Sequence, residues 1–231
     1  MFSASVAGRM PRQGVALLSW CAVALSVALT MALAAPLAQA QFLGPSVAGL
    51  EAGNWAAGVA QANLNRRVIS GGAAATDSDF AHETAFVDYG LGQKRVLRGE
   101  LGTVKIGGSR GTEIAVGYRA PLAGKRRVGK NGRKLELGYS ASIRRAALTG
   151  GGSVQVDVAA GGKVKLSDAT GGYLGGLVSW IGGADGSDLQ ADSLLGIYGG
   201  FVFEVESTLQ VGAEIHMLNA TGLTLFVRLT L

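Results

Sequence analysis

The feature that most constrains this chain is a side-chain period of two that recurs through its second half. Leu223, Leu225, Val227, Leu229 and Leu231 fall on one face of an extended strand, with Thr224, Phe226, Arg228 and Thr230 on the other. Just upstream, Leu209, Val211, Ala213, Ile215 and Met217 alternate with Gln210, Gly212, Glu214 and His216. The same pattern covers 113–119, 135–144, 154–159 and 195–205, with weaker stretches at 54–63, 83–91, 96–106 and 172–181. Strict alternation is the mark of a strand with two unlike faces. A helical period is missing. Turn chemistry separates the segments, as at Gly71-Gly72, Gly107-Gly108-Ser109, Gly150-Gly151-Gly152, 182–187 and Asn219–Gly222. Short connections between neighbouring strands predict an antiparallel meander of about ten strands, within a range of 8–12.

Composition narrows the class. With 48% apolar and 16% charged residues, the 231-residue chain is not disordered. Its 37 glycines lack a three-residue period and come with only 4 prolines, which excludes collagen. One cysteine, Cys21, excludes a disulfide framework and a cysteine zinc site.

Residues 1–40 read as a signal peptide. Arg9 and Arg12 make a positive start, 15–35 is almost wholly apolar, and Ala38-Gln39-Ala40 supplies a small-x-small cleavage site before Gln41. Met10 is a second possible start, and an uncleaved anchor is the alternative. Cys21 follows Trp20 rather than a small residue, so lipidation is not expected. Residues 41–231 then form one domain and contain no apolar run long enough for a transmembrane helix.

A period of two fits both a soluble barrel, with its apolar face inward, and a membrane barrel, with its apolar face toward lipid. Three features favour the second. The segments run for nine to fourteen residues, the length needed by a tilted membrane strand. The opposite face combines glycine with charge at Arg98, Glu100, Glu113, Arg119, Glu136, Arg144, Asp157, Glu204, Glu214 and Arg228, which a narrow lumen can hold as paired ions. The alternation also continues to the last residue.

On the A-x-A at 38–40, the opening strand Gly53–Val59, the alternating strands and the final strand Leu223–Leu231, the chain resembles small bacterial outer-membrane β-barrel proteins of the porin-like or OmpA/OmpX-like kind. The resemblance implies an up-and-down transmembrane barrel in the outer membrane, in contact with lipid and lipopolysaccharide. It also implies that Leu223–Leu231 is read by the barrel-assembly machinery, although Leu231 stands where that family places an aromatic. Trp55, Tyr89, Tyr118, Tyr139, Tyr173, Phe201 and Phe203 are the expected interface girdle.

Other motifs are weaker. Gly107-Gly-Ser109-Arg-Gly111 matches a nucleophile elbow, but a strand rather than a helix follows, so a hairpin turn is expected. Gly124–Asn131 lacks the Ser or Thr that a phosphate-binding P-loop requires. The same stretch is a basic turn of Lys125, Arg126, Arg127, Lys130, Arg133 and Lys134, without the interleaved aromatics of a nucleic-acid site. With ten strands and a periplasmic N-terminus it is the second periplasmic turn and a solvated one rather than an anion site; a count off by one makes it an outward loop in reach of lipopolysaccharide. His82 and His216 have no metal-ligand neighbours at useful spacing. Asp77, Asp79 and His82 in a first outer loop, with Asp185, Asp188 and Asp192 in a fourth, sketch a hydrolase rim. Asp185–Asp188 lacks the spacing of a calcium loop and reads as a turn. The sequence therefore points to a structural, adhesive or narrow-permeability barrel without cofactor or catalysis. A soluble lipid-binding barrel and an outer-membrane hydrolase are the alternatives.

Overall fold

A computed structural model describes residues 44, 49–69, 76–128 and 132–231, with the side chains of 123–128 outside the description. The expected signal peptide and its cleavage site lie outside the described residues. The chain is all-β. Ten long strands close into an antiparallel barrel: β1 (Trp55–Ile69), β2 (Thr76–Gly92), β3 (Arg95–Ile106), β4 (Ser109–Val128), β5 (Arg133–Leu148), β6 (Gly151–Lys165), β7 (Thr170–Ala184), β9 (Leu195–Glu204), β10 (Leu209–Met217) and β11 (Thr221–Thr230). An eleventh element, β8 (Gln190–Ala191), is a two-residue bridge inside the β7–β9 connection. Consecutive strands pair throughout, and β11 closes on β1 from Ala56↔Thr230 to Asn65↔Thr221.

Turns follow the local chemistry. Gly107 and Gly108 take φ values of 53° and 100°, the mirror-image turn that suits a two-residue hairpin, so the G-x-S-x-G match is indeed a β3–β4 turn. Pro121, which has no N–H for the ladder, sits where the β4–β5 register shifts between Pro121 and Lys125.

The two ends of the barrel differ. Trp55 and Leu231 share one end with the turns at 93–94, 166–169 and 205–208 and with the paired strand ends Val128 and Arg133. At the opposite end β9, β10 and β11 stop short. Above them β7 pairs with β8 through Gly182↔Gln190, and β8 pairs with β1 through Val68↔Ala191 and Ile69↔Gln190. The ring there consists of β1 to β8. Barrel diameter grows roughly in proportion to strand number, so the change from ten strands to eight narrows this end by about a fifth.

Alternation along each strand sorts side chains outward and inward. Leu223 and Leu225 point outward at 42% and 41% exposure, with Leu101, Ile114, Ile143, Leu174, Leu195 and Ile215 likewise exposed on their strands. The band on β5 from Leu135 to Ile143 spans nine residues, as does β10. At ~3.3 Å per residue and a tilt of ~40° that is roughly 20–25 Å, the height of the apolar band of outer-membrane barrels. Above it the exteriors of β1 to β3 turn polar, with Asn63, Asn65, Arg67, Asp77, Asp79 and Thr103. Six of the seven expected girdle aromatics lie on this exterior. Trp55 and Tyr89 pack at 4.6 Å between ring centroids, and Tyr118 and Tyr139 at 6.2 Å. Tyr173 is the exception. It faces inward and is buried, because the glycines flanking it on β7 leave no alternation from which its side could be read.

The lumen is filled, and not only by charge and glycine. At the β8 end an apolar plug of Leu64, Val68, Phe80, Val104, Ile106, Ile181 and Leu189 closes the interior. A second apolar group, including Phe86, Tyr173, Leu177, Tyr198, Val202 and Phe226, lies further down. Inward glycines admit these rings. A Cβ at Gly212 would meet Phe226 Cζ at 2.3 Å, and one at Gly175 would meet Tyr198 Cε1 at 2.6 Å. The rest of the glycine excess is shared between the hairpin turns and the outer face, at Gly162, Gly172 and Gly199 among others.

Candidate functional site

Inside the barrel the alternation brings charged side chains from many strands into one space buried from the outside. Five arginines, Arg66, Arg98, Arg119, Arg144 and Arg228, share it with five carboxylates, Asp88, Glu100, Glu113, Asp157 and Glu214. That equality fits the physics. An unpaired ion in a low-dielectric interior costs several kcal/mol, and only mutual pairing with full hydrogen bonding offsets it.

Much of the set is one continuous chain. His82 Nδ1 meets Glu113 Oε2 at 2.8 Å, and Glu113 Oε1 meets Arg144 Nη1 at 2.7 Å. Arg144 also donates to Glu100 Oε2, whose other oxygen is 3.7 Å from Arg98 Nη1. Arg98 then donates twice to Asp88, from Nε at 2.6 Å and Nη2 at 2.8 Å. Asp88 accepts a third bond from Arg228 Nε at 3.1 Å, and Arg228 Nη1 donates to Gln210 at 3.2 Å. The guanidinium of Arg98 also lies 4.0 Å over the Phe86 ring, a cation–π contact. The chain touches β2, β3, β4, β5, β10 and β11, and two of its links, Asp88–Arg98 and Gln210–Arg228, join direct register partners on the inner wall.

Two smaller groups complete the interior. Arg66 donates to Ser179 Oγ and Ser179 O at 3.1 and 2.8 Å, and Gln155 bridges Ser179 Oγ to Asp157. Glu214 accepts from Tyr173 Oη at 3.0 Å, from the Gly44 backbone N–H at 2.8 Å, and pairs with His216 Nε2 at 2.7 Å. The Gly44 bond shows that the segment before β1 reaches into the lumen. Leu50 packs there too, against Ala56 and Val96.

Eight of the ten lumen charges expected from the sequence are buried in this space: Arg98, Glu100, Glu113, Arg119, Arg144, Asp157, Glu214 and Arg228. Glu136 and Glu204 depart from the expectation. They sit at the mouth on the Trp55 end, where Glu136 pairs with Lys94 at 2.9 Å and Glu204 is exposed. Sequence reasoning missed Arg66, Asp88, His82 and His216 as members. The histidines alternate with outward residues on their strands, which was the available signal.

The sketched hydrolase rim is not brought together. His82 is buried in the lumen against Glu113, whereas Asp77 and Asp79 point outward. Asp185 pairs with Arg145 at 3.0 Å on the outer surface, and Asp192 lies 3.8 Å from Arg67. Among the described residues no group of three or more His, Cys, Asp and Glu side chains is placed to hold a metal ion. The basic turn is the β4–β5 hairpin, with Lys125 in register with Glu136, Arg126 with Leu135 and Arg127 with Lys134. It lies at the end shared by Trp55 and Leu231. Arg133 and Lys134 are exposed, and the side chains of Lys125, Arg126, Arg127 and Lys130 lie outside the described residues.

These features define a closed ten-stranded antiparallel β-barrel with an apolar exterior and an ion-paired interior. No family model and no curated protein matches the sequence. Among solved structures the chain is similar to an outer membrane channel from Pseudomonas putida F1, at 11% identity over 83% of this chain and 100% of that one, with a TM-score of 0.42.

Proposed function

We propose that the chain is a bacterial outer-membrane barrel that serves a structural, adhesive or narrow-permeability role and performs no catalysis. One observation carries this reading: apolar side chains cover the outside while five arginines lie inside, three of them, Arg98, Arg144 and Arg228, in ion pairs. A water-soluble domain buries its apolar face and solvates its charges, whereas a chain surrounded by lipid does the reverse. Closure of β1 on β11 pairs the sheet edges, which a membrane span requires. The buried side chains that fill the lumen, the apolar plug and the charged network, weigh against a general porin and equally against a soluble lipid carrier.

In this reading the end with Trp55 and Leu231 faces the periplasm. The longest described connection, 185–194, lies at the opposite end, as extracellular loops do. The outer surface contacts outer-membrane lipid, with lipopolysaccharide in the outer leaflet, and the assembly machinery reads β11. The signal peptide is removed before Gln41. Cell fractionation tests the proposal. The protein is expected in detergent extracts of the outer membrane, with gel migration that changes on heating; recovery as a freely soluble protein would overturn it. Planar bilayers separate the roles, because a closed barrel gives no steady current.

A further inference from the structure

On the outward face of β3 and β4 three rungs climb from the apolar band toward the β3–β4 turn. They are Leu101↔Ile114, then Thr103↔Thr112, then Lys105↔Arg110. Leu101 and Ile114 are among the most exposed apolar side chains of the barrel. Lys105 and Arg110 are direct register partners, so two like charges face each other on one side of the sheet. That arrangement destabilises a strand pair. Among the described residues neither cation has a carboxylate within ion-pair distance. Asp79 and Glu83 stand on β2 at the two positions diagonal to Lys105, whose own partner there is Ala81. Glu83 accepts from Thr103 Oγ1 at 3.5 Å instead. Arg145 on β5 is taken up by Asp185. We propose that Lys105 and Arg110 together bind one phosphate of lipid A, the phosphorylated glycolipid of the outer leaflet, whose acyl chains then lie over Leu101, Ile114 and Val116. The inference rests on the membrane reading above and on the orientation given with it.

Three arguments select this occupant. The first is charge. Directly opposed side chains are about 5 Å apart at Cβ, so the bare cations repel, and an anion held between them replaces that repulsion by charge-assisted hydrogen bonds. Arg110 offers a planar fork that matches two phosphate oxygens, and Lys105 adds a compact charge beside it. The second is height. Lys105 is four residues beyond Leu101 on β3. At ~3.3 Å per residue and a tilt of ~40°, the cations stand roughly 10 Å above the uppermost apolar rung of this hairpin. The headgroup layer on each side of the hydrocarbon is about 5–8 Å thick, and long basic side chains lean their charged ends toward it. The threonine rung sets hydroxyls between the two levels, where acyl chains meet the sugar. The third is the side of the membrane. This rim lies opposite Trp55 and Leu231, which is the outer side in the orientation above, and lipopolysaccharide forms the leaflet there. Below the cations the rungs Leu101↔Ile114 and Gly99↔Val116 continue in line, so a lipid held by its phosphate meets an apolar wall along its chains.

The test uses the full chain extracted in mild detergent with EDTA, examined by native mass spectrometry after addition of lipid A, dephosphorylated lipid A or phosphatidylglycerol. Heat-dependent gel migration of the same sample reports whether the barrel is folded, so a failure to bind lipid A is distinct from a failure of the barrel reading. Wild type is expected to retain lipid A about tenfold more strongly than either other lipid, the size of one charge-assisted contact. Lys105→Glu with Arg110→Glu is expected to remove that preference. Arg95→Glu with Lys134→Glu makes the same change of charge at the opposite rim and is expected to leave it intact. A second readout separates a binding pair from a structural one. Lys105→Gln relieves the repulsion, so without lipid A it is expected to unfold at the same temperature as wild type or higher. Lipid A is then expected to raise the midpoint of wild type and not that of the variant. Folded wild type that shows no preference for lipid A, or that holds phosphatidylglycerol equally well, overturns the proposal. So does an equal loss in the opposite-rim variant, or a Lys105→Gln barrel that already unfolds earlier without lipid. Retention that appears only when EDTA is omitted also overturns it, because a divalent cation would then be bridging the lipid to Asp79 or Glu83.

Discussion

Replacing Asp88 by alanine measures how dry the barrel interior is. Asp88 is fully buried and accepts three hydrogen bonds from two guanidinium groups, those of Arg98 and Arg228. The charge centres lie about 4 Å apart, where the attraction of one pair is about 1 kcal/mol in bulk water and about 4 kcal/mol at an effective dielectric of ~20. Removing the carboxylate leaves two buried cations, and breaking a buried pair in this way typically costs about 3–5 kcal/mol. The expected loss for Asp88→Ala is therefore at the upper end of that range. Asp88→Asn keeps an acceptor and should cost less. Urea unfolding of the barrel refolded into lipid vesicles, followed by tryptophan fluorescence and by heat-dependent gel migration, gives the difference. A loss below about 1 kcal/mol would mean that water already solvates Arg98 and Arg228. The lumen would then be an aqueous passage, and the closed-barrel argument would fail.

Four further outcomes follow from the same geometry. Leu225→Arg, near the middle of the outward apolar band, should cost about 2–4 kcal/mol in vesicles, whereas an exposed site on a soluble protein would tolerate it within about 0.5 kcal/mol. Gly212→Val drives a Cβ to 2.3 Å from Phe226 and 2.5 Å from the Phe201 carbonyl, so it should lose about 1–3 kcal/mol or more in the same unfolding assay. Leu189→Asp places a charge in the apolar plug beneath β8 and should turn a silent planar-bilayer trace into one with discrete openings; continued silence would show that the plug is not what blocks the lumen. Ser109→Ala alters only the β3–β4 turn and should leave stability within about 0.5 kcal/mol and any esterase signal at background.

Where the two faces of a strand differ strongly in polarity, the sequence could be read directly. Leu223–Leu231 and Leu209–Met217 are such strands, and their outward residues were identified correctly. The reading weakened where the code inverts. On upper β1 the outward face is Gln61, Asn63 and Asn65, while the inward face is Ala62 and Leu64, because this part of the wall rises above the apolar band and encloses an apolar plug. Arg66 was therefore not recognised as interior. Asp88 alternates with Val87 and Tyr89, but inward Phe86 beside it hid the polarity of that face. β8 had no local signal at all. Two residues, Gln190 and Ala191, pair only because β9, β10 and β11 are short, and that is a property of the whole ring.

The seam between β1 and β11 also has a kinetic consequence. Its first rung joins Ala56 to Thr230, so no rung can form until nearly the whole chain has emerged. Closing a loop of that length costs about 4–5 kcal/mol of chain entropy before any seam hydrogen bond repays it. Until then β1 and β11 are two bare edges, each able to pair with a foreign strand. Most pairings of the sheet join consecutive strands and can form locally, whereas the seam is the most remote pairing and comes last. Assembly of this barrel is thus a race between seam closure and edge-to-edge aggregation, and a catalyst that holds β11 while β1 arrives would act on the slowest step.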